Sequence, residues 1–401
     1  MLQGHDIVCF ANDWESDPLS KKHIMTRLAR HNRVLWVSSL GYRRPRPTAR
    51  DFRRAVEKLR RISRGLRRVD RNLWVWSPLV LPFHGNPAAR RINQRWLERS
   101  LGRVVRRLGM RHPITWAFEP SSADVVGTLG ERLTVYHCVD EFSELPGADG
   151  AAIAAMEAKL LERCDLVLVS AGPLLEDKRR KNPNTFLVTH GVDVAHFRRA
   201  LARDTPPPAE LASLPRPVIG FFGLIADWVD LELVAFVARE RPEWSIVMIG
   251  KVDTDTAPLD GVPNVHLLGW REYRSLPGWC RGFDVAMLPF RVNRLTVAAN
   301  PLKLREYLAA GLPVVATAIP EAERLAPSVR IARSREEFVR EIDRVLARGD
   351  TGPSLARSHA MDGETWDHKV EELSRVVGSF LERAPRAPGP ARVGGLARAA
   401  P

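Results

Sequence analysis

The sequence predicts an α/β protein of two doubly wound, Rossmann-like domains facing a cleft. Three observations carry this. Short apolar runs alternate with longer segments of helical period along most of the chain, the mark of parallel sheets covered on both faces. A proline-rich break at 198–216, containing Pro206-Pro207-Pro208 and Pro215, divides that alternation into two series. A chain of 401 residues, 45% hydrophobic and 27% charged, suits two soluble domains and excludes collagen, wholesale disorder and a disulfide scaffold.

In the first series, strands are expected at 5–10, 33–37, 73–76, 114–117, 133–137, 165–170 and 185–188. Helices are expected at 22–30, 86–108, 151–163 and 172–181 between them. A further helix is expected across 52–69, where Phe52, Ala55, Val56, Leu59, Ile62, Leu66 and Val69 recur at steps of three and four. In the second series, strands fall at 218–222, 245–249, 265–268, 284–289, 313–316 and 329–332, with helices near 230–239, 301–310 and 335–347. A long final helix covers 366–381. The domain reading is 1–197, a linker at 198–216, a second domain at 217–362, a terminal helix at 363–384 and a disordered tail at 385–401 rich in Ala, Arg, Pro and Gly.

The net charge of +14 is one-sided. Residues 1–200 hold 35 Lys+Arg against 21 Asp+Glu, whereas residues 201–401 hold 26 of each, so the whole excess lies in the first half. Residues 43–71 alone carry 13 basic and 3 acidic residues. There Arg53, Arg54, Arg60, Arg61, Arg64, Arg67 and Arg68 flank the apolar stripe. Such a helix suits either an anionic membrane surface or packing on its own domain. Interleaved aromatics and nucleic-acid-binding signatures are missing, which argues against nucleic acid. The four cysteines have no CxxC spacing and read as reduced thiols of a cytosolic protein. The amino terminus, MLQGHD, predicts no signal peptide, and no apolar stretch of about 18 residues predicts a membrane span.

Four segments hold candidate chemistry. In 218–230, VIGFFGLIADWVD, a buried strand ends at Gly223 and a helix begins near Asp230, a geometry in which backbone amides approach an anion. In 300–315, NPLKLREYLAAGLPVV, Asn300 reads as a helix N-cap and Pro301 as its first turn. Lys303 then stands at the positive end of the helix dipole, where a cation is unfavourable unless an anion shares the place. Glu306 follows on the same face, where a carboxylate suits ribose hydroxyls. The third segment is 189–197, THGVDVAHF. The fourth, beginning YHCVDEF, clusters His137, Asp140, Glu141 and Glu144 just past a strand end, where open parallel sheets bind ligands. Asp253-Thr254-Asp255 reads as a solvated loop rather than a metal site, because Lys303 and the helix dipole suffice for a diphosphate.

With these residues in view, the chain resembles GT-B-fold glycosyltransferases of the retaining group that includes glycogen synthases and bacterial cell-surface (teichuronic- or exopolysaccharide-type) sugar transferases. NPLKLREYLAAGLPVV is similar to that family's donor-site helix, THGVDVAHF to its hinge segment with His190 in place of Asn, NVHLLGWREYRSLPGWCRGFDVAMLPF to its base-binding region, and the helix around ETWDHKVEEL to its last, crossing helix. Two positions depart from the family. Ala298 stands where the first Glu of a Glu-x7-Glu pattern would fall, and WAFEP at 116–120 lacks the His that many relatives carry before their acid-Pro pair.

The resemblance implies a metal-independent transfer of a sugar from a nucleoside diphosphate sugar, with no other cofactor, to a hydroxyl of a cell-surface glycan or lipid-linked acceptor. Donor residues would be Gly223, Lys251, Trp270, Asn300, Pro301, Leu302, Lys303 and Glu306. Asp140 or Glu141 would serve the acceptor hydroxyl, and 43–71 would attach the protein to the inner membrane face. A nucleotide-sugar epimerase of the same fold and a non-catalytic donor- or membrane-binding partner are the alternatives.

Overall fold

The computed structural model describes residues 1–15, 18–38, 60, 62–81 and 86–383. The first sheet runs in the order β3-β4-β2-β1-β5-β6-β7-β8. Its strands are β1 (Asp6–Ala11), β2 (Arg33–Ser38), β3 (Arg67–Asp70), β4 (Leu73–Trp76), β5 (Ile114–Ala117), β6 (Leu133–Cys138), β7 (Leu166–Val169) and β8 (Thr185–Leu187). The pairs are parallel except that β3 runs antiparallel to β4. In the central register Cys9 lies between Trp36 and Trp116. Strands buried on both faces need no polar alternation, which is why CFA of β1 and LVLV of β7 read as unbroken apolar runs.

Helices α1 (Ser20–Leu28), α3 (Gly150–Arg163) and α4 (Gly172–Arg179) accompany this sheet, together with the long α2 (Pro87–Arg107). The Asn86 side chain caps α2 by accepting from the amides of Ala88 and Ala89 at 2.9 and 3.2 Å. One face of the sheet packs Val8, Phe10, Leu35 and Val37 against Leu101 and Val105 of α2. The other packs Ile7, Cys9, Val34, Trp36, Trp116 and Val135 against residues from elsewhere in the domain.

The second sheet is six parallel strands in the order β11-β10-β9-β12-β13-β14. They are β9 (Val218–Phe222), β10 (Ser245–Ile249), β11 (Val265–Gly269), β12 (Val285–Leu288), β13 (Val314–Thr317) and β14 (Val329–Ala332). Helices α5 (Leu231–Glu240), α6 (Leu302–Ala309) and α7 (Arg335–Ala347) complete a separate core. The last helix, α8 (Trp366–Arg383), returns to the first domain, where Trp366, Val370, Leu373, Val377 and Leu381 are buried in its core. Arg27 of α1 and Arg30, just beyond it, clasp Asp367 at 3.0 and 2.8 Å.

Loops at the carboxyl ends of the two sheets meet. Asn300, beyond β12, donates through Nδ2 to the Ser170 carbonyl beyond β7 at 2.6 Å. Arg294 lies 3.4 Å from Glu144, which follows β6. The two ligand-binding edges of the doubly wound sheets therefore face one another.

The helix expected across 52–69 is corrected at its end. Arg67, Arg68 and Val69 lie in β3, because pairing this edge segment with β4 overrides the helical period. Arg64 sits in an exposed turn 3.8 Å from Glu15, which also pairs with Arg67, and the Arg68 guanidinium lies over Trp74 at 5.5 Å. Arg60 is exposed. Arg53, Arg54 and Arg61, with the rest of 39–59 and the tail at 385–401, lie outside the described residues. All four cysteines are free and buried.

Candidate active site

The second domain's wall is assembled from three strand ends laid against each other. β9 ends at Gly223 (φ 133°) and β10 at Gly250 (φ 152°), backbone conformations that side chains disfavour. The Gly223 amide donates to the Ile249 carbonyl at 2.7 Å, and the Gly250 amide to Gly269 at 2.9 Å. Space as well as torsion requires glycine. A Cβ on Gly250 would fall 1.7 Å from the Gly223 carbonyl oxygen, and one on Gly223 would fall 1.8 Å from Lys303 Cε. The Lys303 stem thus lies directly over the exposed backbone of the first loop.

Helix α6 is fastened beneath these loops by Tyr307, whose hydroxyl accepts from the Phe222 amide at 2.9 Å. Pro301 occupies the N-cap position and no side chain caps the helix, so its first amides are left for another acceptor. Lys303, in the first turn, has no ion-pair partner among the described residues; its Nζ stands 5.8 and 6.0 Å from the Phe221 and Phe290 rings. Burial lowers its pKa, opposed by Glu306. Burial pushes the Glu306 carboxyl up to about 7, with Lys303 pulling the other way. A cation and a carboxylate one turn apart, both half-buried and both short of partners, are groups held ready for something else. Lys251 and Trp270 sit further out, Lys251 Nζ 5.3 Å from the indole.

Asn300 departs from expectation. It does not cap α6: it is 4% exposed and serves the junction between domains. Besides its bond to Ser170, its carbonyl accepts from His190 Nδ1 at 2.9 Å and its Oδ1 from Arg305 at 2.7 Å. Arg305, fully buried, also binds Glu321 at 2.5 Å and Glu364 at 3.2 Å, and Glu364 reaches Lys369 at 3.3 Å. Burial holds the His190 pKa down, at about 4, so the ring is neutral near pH 7 and donates from Nδ1 to the carbonyl. None of these partners is visible in local sequence pattern; only the apolar setting of an arginine in LREYLAA hints that Arg305 is buried.

On the opposite wall, β5 and β6 deliver Glu119 and Asp140. Glu119 pairs with Lys21 of α1, both almost wholly buried. Asp140 is half-buried, and burial pushes its carboxyl up to about 6, with Lys21 lowering it and Glu119 and Glu141 adding to the rise. Glu141, its expected equal, is placed otherwise. It accepts from Lys178 at 2.8 Å and from Ser143 Oγ at 2.6 Å, in a buried network where Lys178 also binds Glu157 at 2.8 Å. These bonds tie the Glu141 side chain to its own loop and to α4. His137 is buried and stacked on Phe118 at 4.9 Å, and burial keeps it neutral, at about 3. Among the described residues, no group of three or more His, Cys, Asp or Glu could hold a metal ion.

Comparison with known proteins bears on this arrangement. Residues 216–348, the stretch holding the glycine loops and α6, match the family described as Glycosyl transferases group 1. The second domain is a group 1 glycosyl transferase domain. A Bacillus subtilis (strain 168) protein named as a teichuronic acid biosynthesis glycosyltransferase, TuaH, is 26% identical to this chain over 239 residues, 56% of this chain and 60% of its own length. The alignment therefore spans less than two thirds of that relative. Among solved structures, sucrose-phosphate synthase from Thermosynechococcus elongatus superposes with a TM-score of 0.69 at 14% identity, covering 95% of this chain and all of its own. Anabaena HepE in complex with UDP and glucose gives 0.63 at 12% identity, covering 94% and 100%. Trehalose-6-phosphate synthase-type structures are also similar, including one from E. coli bound with UDP-2-fluoro glucose (TM-score 0.60, 15% identity, 95% and 99% covered). The whole chain has the two-domain GT-B fold, and its group 1 domain supplies the Lys303–Glu306 wall.

Proposed function

We propose that this protein is a glycosyltransferase that moves a sugar from a nucleoside diphosphate sugar to a hydroxyl of a cell-surface glycan or lipid-linked acceptor. The observation that carries the reading is Lys303, a cation without an ion-pair partner among the described residues, in the first turn of an uncapped helix and one turn from a partly buried carboxylate. An anion at that spot satisfies the amides of Leu302 and Lys303, the helix dipole and the ammonium together. The bond between the anomeric carbon and the diphosphate breaks there, and these groups hold the charge that the leaving diphosphate gains. Glu306 accepts from the ribose, Gly223 lets the phosphates approach the backbone, Pro301 fixes the entry of α6, and Lys251 and Trp270 border the base. Asn300 acts through the domain junction instead of touching the donor. Asp140 orients the acceptor hydroxyl and takes its proton as the new bond to the anomeric carbon forms.

The match to a glycosyl transferase family favours this over an epimerase of the same fold or a partner without chemistry. Donor supplied without acceptor separates the first case, since an epimerase would convert it into another sugar nucleotide. The acceptor chemistry follows the teichuronic acid relative, and UDP is the first base to try, given the UDP-bound neighbours. Among the described residues no helix is long and apolar enough to cross a membrane. We place the protein in the cytoplasm, on the inner membrane face.

A thermal-shift series against UDP, GDP, ADP and dTDP tests the donor site. One nucleotide is expected to stabilise the chain by about 2.7 kcal/mol at a hundredfold excess over its Kd. No shift with any of the four would remove the basis of the proposal. Asp140 gives a second test, through pH. Its carboxyl is raised by burial to about 6, so the basic form is lost as pH falls below that value. Nucleoside diphosphate release is expected to rise with pH up to about 6 and then level off, and Asp140→Asn to slow it by about 10²–10⁴-fold. A variant retaining full rate would dismiss Asp140 as the base.

A further inference from the structure

The outward face of α2 carries features that neither the fold nor the donor site uses. Its inner face is spent on the core through Leu101 and Val105. Arg90 is bound to Asp124 at 2.8 Å, and Glu98, the helix's single acid, accepts from Gln94 at 2.9 Å. What faces solvent is Arg91, Arg95, Arg99, Arg103, Arg106 and Arg107, with Ile92 58% and Trp96 52% exposed among them. None of these six arginines has an ion-pair partner among the described residues, and Glu98 is the helix's lone acid beside them.

The apolar part is extended by a second element. The loop after β4 exposes Leu79 and Leu81. Buried Asn93 ties that loop to the first turns of α2, accepting from the Leu81 amide at 2.8 Å and donating to its carbonyl at 2.9 Å. Ile92, Trp96, Leu79 and Leu81 therefore share one end of the helix. That end follows the carboxyl end of β4, so it lies on the same edge of the sheet as the cleft.

We infer that this face of α2, with the Leu79–Leu81 loop, docks the protein on an anionic lipid bilayer. Large apolar side chains standing in water at the start of a helix gain by entering the acyl boundary, and tryptophan favours that interface. The arginines around and beyond them meet lipid phosphates, their stems lying along the apolar surface. A soluble polyanion would need the charges but not the exposed Ile, Trp and Leu, so the composition selects a bilayer. The inference rests on the reading of a membrane-borne acceptor, and it explains how that acceptor would reach the cleft, because the docking end of α2 and the catalytic edge coincide. It also assigns the surface to residues other than Arg64 and Arg67, which Glu15 partly occupies.

The test uses the full chain and vesicles of phosphatidylglycerol mixed with phosphatidylcholine, against phosphatidylcholine alone, in sedimentation at 0.1 M salt. Binding is expected only with the anionic lipid and should weaken as salt rises. Replacing Arg91, Arg95, Arg99 and Arg103 together by Gln should lower partitioning by roughly 1,000-fold at low salt, and Ile92→Ser with Trp96→Ser by about tenfold or more. Acyl chains brominated near the headgroup should quench part of the tryptophan emission in the wild type. That part should vanish in Trp96→Phe, which keeps its binding. Equal binding to neutral vesicles, unchanged quenching in Trp96→Phe, or polyphosphate binding that ignores both apolar replacements would overturn the inference, the last in favour of a polyanion site. The arginine variant keeps its nucleotide thermal shift if folded. Loss of nucleotide binding in the wild type would sink the transferase reading while leaving the vesicle result standing.

Discussion

Lys303→Ala is expected to lower kcat/KM for the sugar nucleotide by about 10²–10³-fold, equivalent to about 2.7–4 kcal/mol, without unfolding the protein. The ammonium lies over the Gly223 backbone and has no acid to pair with among the described residues, so its charge is free to act on a bound diphosphate. Its burial disfavours the charged form, so removing it relieves the folded state of that cost, while Glu306, whose pKa Lys303 lowers, can take up a proton. The variant should therefore melt at or slightly above the wild-type temperature while losing activity. An equal loss of both would show that Lys303 is a structural cation. Glu306→Gln complements it. Burial raises the Glu306 carboxyl to about 7, so its ionised form grows as pH rises through that value. Donor affinity should increase between pH 6 and 8 in the wild type and lose the Glu306 contribution to that slope in the glutamine variant, with binding weaker by about 1.5–3 kcal/mol at pH 8.

Arg305→Ala is expected to cost about 3–5 kcal/mol of unfolding free energy in a urea titration. Three acceptors converge on this fully buried guanidinium: Asn300 Oδ1, Glu321 and Glu364. Removing it leaves Asn300 Oδ1 without its donor and takes one of two cations from each carboxylate, Glu321 keeping Arg324 and Glu364 keeping Lys369. Burial alone would raise the Glu321 pKa, but Arg324 and Arg305 overcome that and hold it low. A carboxyl depressed in the folded state stabilises above its ordinary pKa, and the contribution fades as pH falls through the depressed value. The variant should show a smaller loss of stability on acidification than the wild type. A change below about 1 kcal/mol would mean that the network is replaceable.

The fold was legible because strands covered on both sides leave continuous apolar runs, as in VIGFF of β9 and SIVMI of β10, and because prolines mark the division. Lys303 stood out for a local reason, a cation placed against a helix dipole. The failures are those where a distant partner outweighs local preference. Asn300 has the chemistry of a cap, yet the Ser170 carbonyl and Arg305 take its side chain, and Pro301 is left at the helix entrance. Glu141 looked equivalent to Asp140 until Lys178, 37 residues on, claimed it. Leu66 and Val69 fitted a helical stripe, but the pairing of Arg67, Arg68 and Asp70 with β4 decided in favour of a strand. The outward Ile92 and Trp96 were hidden because a helix that is apolar on its inner side and partly apolar outside shows no clean stripe.

Helix α8 has a consequence for how the polypeptide is made. Trp366 and the four apolar residues that follow it at helical spacing finish a core whose other walls come, Ala298 and Leu302 apart, from residues 1–200, so during translation the amino-terminal half emerges with one flank uncovered. The ribosome must add well over a hundred further residues before that flank closes, and a nascent chain in this interval is a natural client for a chaperone.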